Sequence, residues 1–194
     1  MKRFHKWTNA NVFKIAHERL LNNNILKSIN STTTLTCYID ATHINNVHGV
    51  DHINISENKK KKSTKLTAIC NDQKKILDIK YNHLHDSKMV QPIVDSSKNK
   101  INFRKINIVG DKGYKLRKDL LNTLEKDNIK MHVPQRKNQK ILTRKITKNH
   151  LKNRYKIEHV FQQFKCFNRI RNRYDKYIKN YMSFVYISLI IKFV

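Results

Sequence analysis

The spacing of apolar and polar positions changes several times along the chain, and each change marks a predicted element. Val12, Phe13, Ala16, Leu20 and Leu21 recur at helical spacing behind Phe4 and Trp7, with Thr8 as an N-cap, so residues 1–30 read as a helical segment. Residues 35–44, Leu-Thr-Cys-Tyr-Ile-Asp-Ala-Thr-His-Ile, are rich in β-formers and read as a buried strand. A polar loop from His48 to the lysine run 59–62 follows. Residues 64–70 and 75–81 pair as a hairpin around Asn71, Asp72 and Gln73. A helix is predicted over 86–97, with Asp86 or Ser87 at its start, and a basic connection over 98–105.

A short strand at 106–109 stops at Gly110-Asp111-Lys112-Gly113-Tyr114, where two of the chain's three glycines predict a special turn. A helix over 116–126, a strand over 129–133 closed by Pro134, and a basic stretch over 135–150 come next. One long helix then runs to about Tyr174, and a last helix starts at Tyr177. This order predicts an α/β fold, a mixed sheet flanked by helices. The domain expectation is an N-terminal helical remnant over 1–30 and a single domain over 31–194.

The long helix has an informative polar edge. Ile157, Val160, Phe161, Phe164 and Phe167 fall on one arc and face a core. At about 100° per residue, Arg154, Glu158 and Lys165 form one line beside that arc. A surface Arg–Glu pair would explain two of them and contribute only about 0.3–0.5 kcal/mol. Glu158, however, is the sole acidic residue between Asp127 and Asp175, within a span crowded with Lys and Arg. A carboxylate that holds a cation while its neighbours hold an anion suits metal-assisted phosphodiester chemistry.

Charge supports that direction. The chain has 194 residues, 41 Lys+Arg against 14 Asp+Glu, a net charge of +27 and a pI near 10.2. Such a balance implies a polyanionic partner, nucleic acid foremost. The charge is spread over the whole chain, unlike that of a membrane-surface helix. Cys37, Cys70 and Cys166 show no paired spacing and read as reduced residues of an intracellular protein. No signal peptide is visible, and the apolar residues 182–194 are too few to span a bilayer.

Asp40 lies mid-strand among apolar neighbours, Asp111 ends another strand, and Glu158 lies on a helix. Unpaired buried carboxylates are costly, so each should face a cleft, a metal or a partner. Together they suit a three-carboxylate site for two Mg²⁺ ions.

The chain resembles the catalytic domain of insertion-sequence DDE transposases, in the branch with the signature Tyr-x2-Arg-x3-Glu-x6-Lys. Arg154, Glu158 and Lys165 match that signature, with Leu151 at the tyrosine position and Tyr155 beside the arginine. Tyr38-Ile39-Asp40-Ala41-Thr42 matches the family's first motif and Gly110–Tyr114 its second. Lesser echoes are Lys62-Ser63-Thr64-Lys65-Leu66, His85-Asp86-Ser87 and Arg169-x-Arg171-x-Arg173-Tyr174.

The resemblance implies an RNase H-like fold, with Asp40, Asp111 and Glu158 as both catalytic and metal-binding residues. Mg²⁺ or Mn²⁺, two ions, would serve hydrolysis at the transposon end and attack of the freed 3′-hydroxyl on target DNA. Arg154, Lys165, Lys112, Arg169 and Arg173 would contact DNA phosphates. The implied partners are double-stranded DNA and a second copy of the chain, with no membrane. The implied location is intracellular, where the DNA is: cytoplasm, nucleoid, nucleus or virus factory. Family members usually carry a helical DNA-binding domain ahead of the core, and here only about 30 residues precede it. The alternatives are therefore a truncated or domesticated DNA-binding derivative without catalysis, and a simple nuclease of the same fold.

Overall fold

Strand β1 (Thr34–Asn46) is the axis of the molecule. Its consecutive residues Cys37, Tyr38 and Ile39 are all buried, as expected for a strand covered on both faces. The computed structural model describes residues 2–26, 34–55, 61–98, 105–134 and 145–193. On one side β1 pairs antiparallel with β3 (Lys62–Asn71), whose outer edge carries β2 (Asn54–Ile55) and β4 (Ile76–Asn82). On the other side it pairs in parallel with β5 (Lys105–Val109), and β5 in parallel with β6 (Ile129–His132). Three antiparallel strands extended by two parallel ones, with α3 (Asp86–Lys98) and α4 (Lys118–Lys126) as the crossings, form the RNase H-like arrangement.

Alternation along the strands sends side chains to two cores. Tyr38, Ile44, Leu66, Ala68 and Val109 lie under α6 (Tyr155–Phe164) and α8 (Ile178–Phe193). Cys37, Ile39, Ile69, Leu77 and Ile108 lie under α3 and α4, together with Leu21. The hairpin, the helix from Asp86 and the strands around 106–109 and 129–132 lie where periodicity predicted them.

Other expectations needed correction. The N-terminal segment is two helices, α1 (Lys2–Asn9) and α2 (Val12–Leu26), split at Asn11, whose φ is 53°. Both pack on α8: Phe4 stacks on Phe184 at 4.8 Å, and the buried hydroxyls of Thr8 and Ser183 bond at 3.0 Å. Thr8 therefore works inside α1 and not as the cap of a later helix. The single long helix is three pieces, α5 (Lys145–Lys152), α6 and α7 (Asn168–Arg171), with residues 135–144 outside the described set. The break after Phe164 has a tertiary cause. The chain turns so that β7 (Asn172–Arg173) can pair with Asn45 and Asn46 at the end of β1, and the Tyr181 hydroxyl donates to Ile170 O at 2.8 Å. Lys59 and Lys60 also lie outside the described residues. Among the described residues, no helix is long and apolar enough to cross a membrane.

Candidate active site

The register between β1 and β5 brings the two aspartates level. The last paired residues are Tyr38 and Val109, and Asp40 and Asp111 each lie two residues further on. Asp111 thus stands just beyond the carboxyl end of β5, and Asp40 lies level with it inside β1, opposite Ala68 of β3, where the pairing of β1 with β5 has already ended and a crevice can open. Gly110 makes the turn possible, because a Cβ there would lie 3.0 Å from both the Met131 methyl and the Tyr114 Cβ. Asp111 is extended and caps the short turn Lys112–Tyr114, its Oδ1 accepting from Gly113 N at 2.8 Å.

The third element is α6. Its apolar residues Ile157, Val160, Phe161 and Phe164 are buried on the sheet, which turns Arg154 and Glu158 toward Asp40. The Arg154 guanidinium joins two carboxylates, with Nη2 at 2.7 Å from Glu158 Oε1 and Nη1 at 3.3 Å from Asp40 Oδ2. Asp40 Oδ1 accepts from Ala41 N at 2.8 Å. Burial pushes the Asp40 carboxyl up to about 6; the Ala41 N–H and Arg154 pull against that, while Asp111 and Asp86 add to it.

The donor set suits a hard divalent ion, which takes carboxylate oxygens. Among the described residues, however, no three His, Cys, Asp or Glu side chains gather closely enough to hold a metal together. Arg154 already stands between Asp40 and Glu158, and the Glu158 side chain is 49% exposed.

The expected phosphate contacts diverge. Lys112 is exposed immediately after Asp111. Lys165 follows α6 and donates to His43 O at 3.2 Å. Arg169 pairs with Asp175 at 2.8 Å and lies 3.7 Å over the Phe184 ring. Arg173 requires correction: it is 0% exposed. Its guanidinium donates to Asp51 O at 2.8 Å, Thr64 Oγ1 at 3.0 Å, Asp175 O at 3.1 Å and Lys176 O at 3.1 Å, and it pairs with the Asp51 carboxylate. A guanidinium so enclosed joins the loop after β1, the strand β3 and the segment before α8, and does not face a DNA backbone. Leu151, at the signature's tyrosine position, packs against the core beneath α6 and α8.

Two neighbours of the site were only echoes in the sequence. Asp86, at the start of α3, pairs with Lys65 at 2.7 Å. A Cβ on Gly113 would lie 3.0 Å from Asp111 Oδ1 and 3.1 Å from Asp86 Oδ2, so Asp86 crowds the same turn as Asp111. Tyr114 is buried beneath, its phenol pushed up first by burial and then by Asp86, Asp40 and Asp111. The signal available for Asp86 was its place at a helix start beside a charged strand residue, which many surface aspartates share.

Asp40 and Asp111 thus lie level at adjacent parallel strands, with Glu158 on the helix beside them. The sequence profile of the family described as "Transposase DDE domain" matches residues 32–191, and the chain belongs to that family. Solved structures similar to it include a piggyBac transposase synaptic complex with hairpin DNA, at 14% identity and a TM-score of 0.43, covering 56% of this chain and 24% of that one. A Mos1 transposase paired-end complex with the left transposon end is similar at 9% identity and a TM-score of 0.36, covering 76% of this chain and 59% of that one. A Mos1 mariner paired-end complex with Mn gives 9% identity and a TM-score of 0.35, again over 76% and 59%. The chain thus spans between 24% and 59% of the length of these solved transposases. No match was found among curated proteins.

Proposed function

We propose that this chain is the catalytic domain of a transposase that cuts DNA at transposon ends and joins it to a target, with Asp40, Asp111 and Glu158 as its metal-binding and catalytic carboxylates. The observation that carries the reading is the level placement of Asp40 and Asp111 just past the last paired residues of β1 and β5, with Glu158 tied to Asp40 through Arg154. Bound Mg²⁺ or Mn²⁺, two ions, would activate water or a 3′-hydroxyl and stabilise the leaving oxygen. Asp40 on β1 and Asp111 after β5 each have one oxygen fixed by a backbone N–H donor, which leaves the other oxygen of each to turn to an ion. Glu158 is linked to them through Arg154 and would turn in from its half-exposed helix position to complete the set. Arg154 orients Glu158, and its guanidinium suits a phosphate beside the scissile bond. Lys112 and Lys165 flank the site as further phosphate contacts.

The substrate in this reading is double-stranded DNA, and two copies of the chain would pair two ends. The protein would act wherever that DNA resides inside the cell. One observation favours a second reading, a non-cutting DNA binder derived from such an enzyme: the Arg154 guanidinium pairs with both Asp40 and Glu158 and so neutralises carboxylates that a cation would otherwise hold. Incubation of a labelled duplex with target DNA and Mg²⁺ or Mn²⁺ separates the cases. Metal-dependent cuts followed by joined products support a transposase. Cuts without joining leave a nuclease, and tight binding without cuts supports the non-catalytic reading.

A further inference from the structure

The arginines at 169, 171 and 173 alternate along the chain, and the structure treats the middle one differently. Arg169 is matched by Asp175 and Arg173 by Asp51. Arg171 is exposed at the end of α7, and among the described residues no carboxylate pairs with it. It opens onto a groove of about 420 Å³ whose other cationic walls are Lys61, Lys62 and Lys165, with His43 and Asn45 between them. Lys61 and Lys62 are also exposed and also lack a carboxylate partner among the described residues. Among the described residues, four cations line this cleft and no acidic residue does. Like charges gathered along one lining repel, so the arrangement suits a bound polyanion.

The groove lies in line with the candidate active site along two separate elements. His43 and Asn45 are three and five residues beyond Asp40 on β1, which is about 10–16 Å at strand rise. Lys165 is seven residues beyond Glu158, which is about 10 Å at helical rise. A DNA strand advances about 3.4 Å along the axis per nucleotide. A backbone whose scissile phosphate sits at the carboxylates therefore reaches the groove about three nucleotides away.

We infer that this groove, walled by Lys61, Lys62, Lys165 and Arg171, binds the phosphodiester backbone of the DNA strand about three nucleotides from the scissile bond. The inference rests on the reading of the carboxylates as the cutting site for its register, though not for the binding itself. Arg171 then takes the phosphate-contacting part that the arginine run suggested for Arg169 and Arg173. Lys165, with its Nζ anchored on His43 O, joins the groove to the active-site helix.

The test compares duplex DNA binding by the full chain across salt concentrations for wild type, Lys61→Ala/Lys62→Ala/Arg171→Ala, and a control, Lys118→Ala/Lys126→Ala/Lys130→Ala. The control lysines are exposed on α4 and β6, toward the opposite edge of the sheet. Each lost phosphate contact removes about 0.9 from the slope of log affinity against log salt. The groove variant is expected to lose about 2–3 from that slope while the control keeps it. Equal slopes in both variants overturn the inference. The two readings fail separately: an unchanged slope beside intact metal-dependent cutting sinks the groove alone, and a lowered slope beside absent cutting sinks the cutting site alone.

Discussion

Arg154 sets the electrostatics of the site from a single position. With its guanidinium shared between Asp40 and Glu158, it is the nearest positive charge opposing the desolvation of Asp40. Removing it as Arg154→Ala should raise the Asp40 carboxyl above its present value of about 6. A metal ion competes with the proton for that carboxylate. Mn²⁺ affinity of the wild type should therefore fall as pH drops through about 6, and the fall should begin at higher pH in Arg154→Ala. Titration calorimetry at pH 5, 6 and 7 checks this, and identical profiles would remove Arg154 from the account. Glu158→Gln should abolish cutting yet keep or strengthen DNA binding, because a ligand is lost together with a charge that repels phosphate. Gel-shift and cleavage assays on one preparation read both effects, and unchanged turnover would sink the assignment of Glu158.

Among the elements, β1 and the segment from α6 to β7 show what sequence can and cannot disclose. The apolar run around Asp40 and the glycines around Asp111 marked a strand and a turn because local sterics and burial decide both. The line of Arg154, Glu158 and Lys165 followed from helical periodicity, and the Arg154–Glu158 contact bears out its first step. The break after Phe164 was not legible, since neither Gly nor Pro marks it and only the pairing of Asn172 with Asn45 requires it. The burial of Arg173 was hidden for a similar reason: its partners come from Asp51, Thr64 and Lys176, which only the folded chain assembles. Removing one partner of a buried ion pair costs about 3–5 kcal/mol, so Arg173→Ala should unfold at clearly lower denaturant concentration. Gly49→Ala should act on the same network, because its Cβ would lie 2.5 Å from Asn46 Oδ1 and 2.6 Å from the Arg173 guanidinium carbon. Overpacking of this kind costs about 1–3 kcal/mol. A wild-type midpoint for Arg173→Ala would return that residue to the surface.

For the molecule as a whole, a net charge of +27 predicted a polyanionic partner but not where it lies. The fold places the carboxylates beside the end of the β1–β5 pairing and a cationic groove alongside them. Stability should also carry a pH signature at the far side of the sheet. His132 is held down to about 4 by burial first, then by His150 and Lys130. Its neutral form is favoured by folding, so this contribution is complete above about 6.5 and is lost as pH falls from there toward about 4. Because the ring is only half-buried, the loss should amount to about 1 kcal/mol. Urea midpoints at pH 7 and 4.5, compared between wild type and His132→Asn, measure that difference, which should shrink in the variant.

Cleavage of a labelled duplex in Mg²⁺ or Mn²⁺ by wild type and Asp111→Asn tests the central claim most directly. Asn keeps the shape of Asp111 and an Oδ1 that can accept from Gly113 N, so the substitution should leave folding and DNA binding in place. The account predicts metal-dependent cutting by the wild type and none by the variant, with binding retained in both. Equal cutting by the two proteins, or cutting that persists in chelator, would contradict it.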